Sequence, residues 1–150
     1  MEDPVIISFG GGKGGTGKTT LAAVTGSLLA GKGFRTVLVD ADLGGANLHM
    51  HLGIKRPEKG LSDYLSGRCG SLSEVILKTP VNNLGLISGA SDILQVANPK
   101  YAQKEKILRN IKGLDTDYIL LDLGAGSSIH VSDFFAYFPY GAVVSDTTPE

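Results

Sequence analysis

An α/β fold, with a mostly parallel sheet and helices on both faces, follows from three features of the sequence. Short apolar runs alternate with stretches of helical periodicity along the chain. The runs lack polar alternation, which marks strands covered on both sides. The first two are joined by a glycine cluster and one helix within about 35 residues, a βαβ unit that demands parallel pairing and a right-handed crossover.

Taken in order, Val5–Phe9 is a buried strand entering a loop from Gly10 to Gly17. Thr19–Lys32 follows as a helix, with Leu21, Val24, Leu28 and Leu29 near helical spacing, Ala22, Ala23 and Ala30 filling in, and Gly31 and Gly33 as stop signals. Thr36–Asp40 is the second strand. Residues 41–80 are less regular: Leu61–Leu65 reads as one or two helical turns ended by Gly67, and Ser73–Lys78 as another, capped by Ser73 and closed by Pro80. Leu84–Ile87 is a third strand. Asn98-Pro99 opens a helix that runs to Lys112 with Ile107, Leu108 and Ile111 inward. Tyr118–Asp122 is a fourth strand, Ser132–Phe138 a short aromatic helix, and Gly141–Ser145 a fifth strand. A doubly wound sheet would cover that strand with another helix. The expectation is one nucleotide-binding domain over residues 1–150, the N-terminal portion of a longer protein whose C-terminal elements are missing here.

Composition narrows the function classes. Fourteen Lys and Arg against fifteen Asp and Glu leave a formal charge of −1, so no overall field drives the protein onto nucleic acid or acidic lipid. A single Cys69 supplies neither a disulfide nor a cysteine-based metal site. Met1-Glu2-Asp3-Pro4 lacks the basic start of a secretory signal, and no apolar run approaches the ~18 residues of a membrane span, so a cytoplasmic protein is expected. Glycine is the outlier: 21 of 150 residues, or 14%, about twice the usual share of ~7%.

Those glycines concentrate where a backbone could approach a ligand. Gly12-Lys13-Gly14-Gly15-Thr16-Gly17-Lys18-Thr19 fits G-x-x-x-x-G-K-[ST] at every fixed position, between a strand and a helix. Glycines let successive N–H groups turn around phosphate oxygens, and the helix start adds its positive dipole end. Lys18 would reach the β- and γ-phosphates, and the Thr19 hydroxyl would hold Mg²⁺. Asp40 and Asp122 close two strands, and Asp42 follows the first, so all three carboxylates should lie on the sheet edge where such folds gather ligands. Four apolar or aromatic residues followed by Asp122 is the Walker B pattern of a Mg²⁺-holding carboxylate.

With Lys13 standing before Gly14 and Gly15 in addition to Lys18, the loop resembles the deviant Walker A of the MinD/ParA family of P-loop ATPases. The family's switch I, D-x-D with Gly and Asn after it, is matched by Asp40, Asp42, Gly44 and Asn47. Its switch II, D-x-[PG]-A-G, is matched by Asp122, Gly124, Ala125 and Gly126. Residues 85–90 and 147–150 look most like the MinD branch and a flagellar-number relative. The resemblance implies ATP as substrate, with Gly12, Lys13, Gly14, Gly15, Thr16, Gly17, Lys18, Thr19 and Thr20 around the nucleotide, and Mg²⁺ near Thr19, Asp40 and Asp122. It implies catalytic roles for Lys13, Lys18 and Asp42: Lys13 reaching a partner subunit's nucleotide, and Asp42 positioning the attacking water. It further implies a nucleotide-dependent homodimer, a regulatory protein partner, and membrane or DNA contact only through regions outside this chain, with location peripheral to the inner membrane in the whole protein. The alternative is a nucleotide-gated binding module with little hydrolysis. A small-molecule kinase would need a lid and acceptor pocket, of which there is no sign; GTP is disfavoured by the absence of N-K-x-D.

Other features carry less. His49 and His51, two apart, would share one face of a strand, without further metal ligands nearby. His130 reads as a loop or helix-start residue, and Cys69 as an exposed loop thiol. Phe134, Phe135, Tyr137, Phe138 and Tyr140 are too dense for one buried face. Lys100, Lys104, Lys106, Arg109 and Lys112 make a basic helix, read as a solvated face before a nucleic-acid patch.

Overall fold

The computed structural model describes residues 2–42, 45, 47–89, 101–124 and 129–147, with the backbone alone at 101, 103, 104, 129–131 and 134. The chain runs β1 (Val5–Gly10), α1 (Lys18–Gly31), β2 (Thr36–Asp40), α2 (Leu48–His51), α3 (Leu61–Leu65), a 3₁₀ turn (Leu72–Val75), β3 (Leu77–Lys78), β4 (Leu84–Ile87), α4 (Tyr101–Ile111), β5 (Tyr118–Asp122), α5 (Ile129–Tyr137) and β6 (Tyr140–Val143). The sheet order is β3-β4-β2-β5-β1-β6. Every pairing is parallel except β3 with β4.

Side-chain alternation divides the core between the two faces of the sheet. Val37, Val39, Ile119 and Leu121 point to the face covered by α3, the 3₁₀ turn and α4, with Tyr64, Val75, Ile107 and Ile111 buried against them. Leu38, Leu86 and Leu120 point to the other, where Ala22, Ala23 and Ala30 of α1 and Leu48 of α2 close the layer. The insertion of β5 between β1 and β2 positions the site. Its register sets Asp122 beside Phe9 on one side and Asp40 on the other. At the opposite edge, Arg35 bonds Asp115 at 2.8 Å and Asp117 at 3.1 Å, tying the start of β2 to the start of β5.

Four sequence expectations change. Helix α1 has the predicted period but turns its small residues inward. Ala22, Ala23, Gly26 and Ala30 are buried, while Leu21, Val24 and Leu28 are exposed, Leu28 at 63%. A Cβ on Gly26 would lie 3.1 Å from Leu38, so α1 sits too near the sheet for leucines on that face. Residues 73–78 are not one helical turn: the 3₁₀ turn ends in extended backbone at Ile76, and Leu77 pairs with Leu86 as an antiparallel edge. His49 and His51 lie on helical α2, where residues two apart diverge. Cys69 is half-buried against the core, its N–H donating to the Asp63 carbonyl at 3.1 Å. The predicted helix start at Asn98-Pro99 lies outside the described residues; the helix is present over Tyr101–Ile111. Phe138 is buried and Phe135 partly so, whereas Tyr137 and Tyr140 are exposed, dividing the aromatic cluster as its density required.

Candidate nucleotide site

The phosphate loop leaves β1 at Gly10 and enters α1 at Lys18. Gly15 and Gly17 have φ of 75° and 96°, a left-handed conformation that glycine adopts without strain. Gly17 sits at the N-cap of α1, and its carbonyl accepts the Leu21 N–H at 2.8 Å. Gly12, Lys13, Gly14, Gly15, Gly17 and Thr20 are exposed and Thr16 half-buried, so the loop is open to a ligand. Lys18 is the exception, only 7% exposed, and its Nζ donates to the Lys13 carbonyl at 3.2 Å. The loop thus encloses one nearly buried cation whose described hydrogen bond is to a neutral carbonyl oxygen, an arrangement suited to an arriving anion.

Under the loop lies the acidic row. The Thr19 hydroxyl donates to Asp122 Oδ2 at 2.7 Å, and the other oxygen, Oδ1, is buried without a hydrogen-bond partner. Burial holds the Asp122 carboxyl above its usual range; the Thr19 hydrogen bond opposes this, the charge of Asp42 adds to it, and Lys18 and His51 pull the other way. Asp40 is fully buried. Its Oδ1 accepts the Asp42 N–H at 3.2 Å and its Oδ2 the Leu48 N–H at 3.0 Å. Burial pushes its carboxyl up to about 7, against the Leu48 N–H bond and helped by the charges of Asp122 and Asp42. Asp42 is half-buried; its Oδ1 accepts the Gly45 N–H at 3.1 Å. Asp42 also abuts Gly124, where an added Cβ would stand 3.1 Å from the same oxygen. The segment after β2 therefore approaches the end of β5 at this carboxylate.

Three acids at one sheet edge favour a cation between them and the loop. Among the described residues, no group of three or more His, Cys, Asp or Glu has metal-holding spacing. The available donor set is a hydroxyl and a carboxylate with one unpartnered oxygen, which fits Mg²⁺, since that ion completes its shell with phosphate and water. Each oxygen of Asp40 accepts one main-chain N–H, which braces the start of α2.

Among the described residues, the loop and the three acids lie at one sheet edge, and Thr20 is exposed on the first turn of α1 directly after Thr19. Asn47 precedes α2 as its N-cap but makes no side-chain cap. Gly44, Ala125 and Gly126 lie outside the described residues. Sequence reasoning missed Gly11, which precedes the motif: a Cβ there would lie 2.4 Å from the Val144 carbonyl oxygen, while the Val144 N–H donates to Gly10 at 2.8 Å. Gly11→Ala is expected to lower stability by roughly 1–3 kcal/mol, measured as a reduced denaturant midpoint, because the obstacle is backbone. Asp146 was also missed, although it follows a strand as Asp122 ends one; it lies 3.7 Å from Lys13. Among the described basic residues here, Lys106, Arg109 and Lys112 are exposed, as a solvated face requires, and each has a partner within the chain: Lys106 lies 4.4 Å from the Tyr64 ring centroid, Lys112 4.9 Å from that of Tyr137, and Arg109 pairs with Glu105.

A parallel sheet with this loop and these acid-tipped strands defines a P-loop nucleotide-binding domain. The family model described as the CobQ/CobB/MinD/ParA nucleotide binding domain matches residues 7–125, and the chain belongs to that family. It is 36% identical over 146 residues to a putative septum site-determining protein MinD of Guillardia theta, covering 97% of this chain and 53% of that protein. It is 34% identical over 136 residues to the antiactivator FleN of Pseudomonas aeruginosa, covering 89% and 48%. Among solved structures, MinD of Pyrococcus horikoshii complexed with Mg-ADP aligns with a TM-score of 0.83 at 32% identity, over 95% of this chain and 58% of that one. A chain of the MinC:MinD cell division protein complex of Aquifex aeolicus gives 0.76 at 31%, over 93% of this chain and 55% of that one. The chain spans about half the length of the curated relatives it matches. Among the described residues, no helix is long and apolar enough to cross a membrane.

Proposed function

We propose that this protein is a Mg²⁺-dependent, ATP-binding and ATP-hydrolysing switch of the MinD/ParA type, with residues 1–150 as its nucleotide-binding domain. The observation that carries the reading is the Thr19–Asp122 pair: a hydroxyl at the loop's exit bonded to a strand-tip carboxylate whose other oxygen is buried and unpartnered. Loop N–H groups and Lys18 receive the phosphates. Thr19 and Asp122 are the residues that hold Mg²⁺, which when bound offsets charge on the β- and γ-phosphates. Asp42 accepts a hydrogen bond from the attacking water and orients it. Lys13, exposed beside the loop, serves the nucleotide of a second subunit in a nucleotide-dependent homodimer. The Mg-ADP complex of the Pyrococcus horikoshii protein supports the choice of ligand, and the MinC:MinD complex supports a regulatory protein partner. The septum-site relatives favour spatial organisation of the cell, in the cytoplasm or at the inner-membrane surface, as the process served.

Thr19→Ala tests the metal assignment. It deletes one hydroxyl at the loop exit and leaves the loop glycines and Lys18 in place. The gain in nucleotide affinity on adding Mg²⁺ should fall by about tenfold or more, with metal-free binding nearly unchanged; an unaltered Mg²⁺ increment in titration calorimetry would refute the assignment.

A further inference from the structure

We propose that Asp146 is a positioning residue: it holds Lys13 on its own subunit and must release it before two subunits close over nucleotide. The inference rests on the role given to Lys13 above. Lys13 Nζ lies 3.7 Å from Asp146 Oδ2, with the two side chains 52% and 41% exposed. The carboxylate is not carried on a free tail. Val144, two residues earlier, donates its N–H to the Gly10 carbonyl at 2.8 Å, and Gly11 packs so tightly on the Val144 oxygen that no side chain fits. The end of β6 is thereby fastened to the start of the phosphate loop, and Asp146 is presented to that loop at a set place. The main chain of Lys13 is also held, since its carbonyl accepts the Lys18 ammonium at 3.2 Å. Phosphates entering the loop compete for Lys18 and free that carbonyl. Nothing in that step breaks the Lys13–Asp146 pair, so a separate contact must draw the Lys13 ammonium away, and phosphates approaching on another subunit supply the stronger charge.

The size of the effect follows from the exposure of the pair. Solvated ion pairs of this type change equilibria by roughly 1.4- to 5-fold. A two-fold symmetric dimer has to break two of them, so the restraint on dimerisation is about 2- to 25-fold. That suits a brake that delays assembly until both subunits carry triphosphate without preventing it.

The test uses the full-length protein with Mg²⁺ and a slowly hydrolysed ATP analogue, in sedimentation velocity over a range of protein concentration. Asp146→Asn is expected to lower the dimer dissociation constant about 2- to 25-fold, with the analogue's affinity for the monomer unchanged. Asp146→Glu should restore wild-type dimerisation, and the Asn variant's advantage should shrink at high salt, neither of which a purely structural role would produce. A dimer of unchanged or weaker affinity in Asp146→Asn overturns the inference. Lys13→Gln separates this from failure of the underlying reading: if that variant loses the dimer while Asp146→Asn does nothing, only the brake is wrong. If Lys13→Gln dimerises and turns over like wild type, the assignment of Lys13 across the interface falls, and the brake with it.

Discussion

Lys18→Ala is expected to weaken Mg-ATP binding by at least about 30-fold, a loss of roughly 2–5 kcal/mol, with the fold of the empty protein kept. Lys18 is the nearly buried cation of the loop, and its described partner when the site is empty is a carbonyl. The phosphates add charged partners to a buried group, so their attraction to it is little screened by solvent. The same burial makes the effect on stability small: truncation removes a costly charge along with some packing of the aliphatic stem, and these offset. Titration calorimetry with Mg²⁺ and ATP measures the affinity, and thermal unfolding of the empty protein checks that the variant folds. A Kd within about threefold of wild type would show that the loop is not the phosphate cradle.

Asp42→Ala should lower phosphate release by roughly 10²–10⁴-fold and leave nucleotide affinity equal or tighter. The carboxylate accepts the Gly45 N–H and stands near Gly124, with no described contact to the loop, so its removal is expected to take nothing from binding. It also removes a negative charge that stands near the site and raises the Asp122 carboxyl, so repulsion toward a triphosphate falls. Single-turnover phosphate release beside equilibrium nucleotide binding separates the two quantities. Equal, negligible turnover in wild type and variant would instead favour a nucleotide-gated binding module that does little hydrolysis.

Much of this site was legible because its parts are local. A loop that must turn its N–H groups inward needs glycines at short spacings, and a helix must begin where the motif ends, so Gly12 to Thr19 announce themselves. Asp40 and Asp122 were legible as strand tips because buried parallel strands are apolar throughout and end abruptly at their first charge. What failed depended on distance between elements. The leucines of α1 repeat as a buried face would, yet they face solvent, because the close approach at Gly26 to Leu38 is a fact about two segments packed together. The stretch 72–78 split into a 3₁₀ turn and an edge strand because Leu77 found a partner in Leu86, which outweighed local helical preference. Gly11 is set apart from the other loop glycines only by the passage of the chain after β6 against it.

By itself the sequence determined the class of fold, the phosphate loop and the residue types at the strand tips, since each depends on backbone conformation or burial over a few consecutive residues. Only the tertiary structure decided which groups each acid meets. It set β5 between β1 and β2, so that Asp122 meets Thr19 with one oxygen left over. It spent both oxygens of Asp40 on main-chain N–H groups, pressed Asp42 against Gly124, and brought Asp146 to Lys13. The physical reason is that hydrogen bonds and desolvation act over a few ångströms in space, and strand order, which no local pattern encodes, sets which charges come that close.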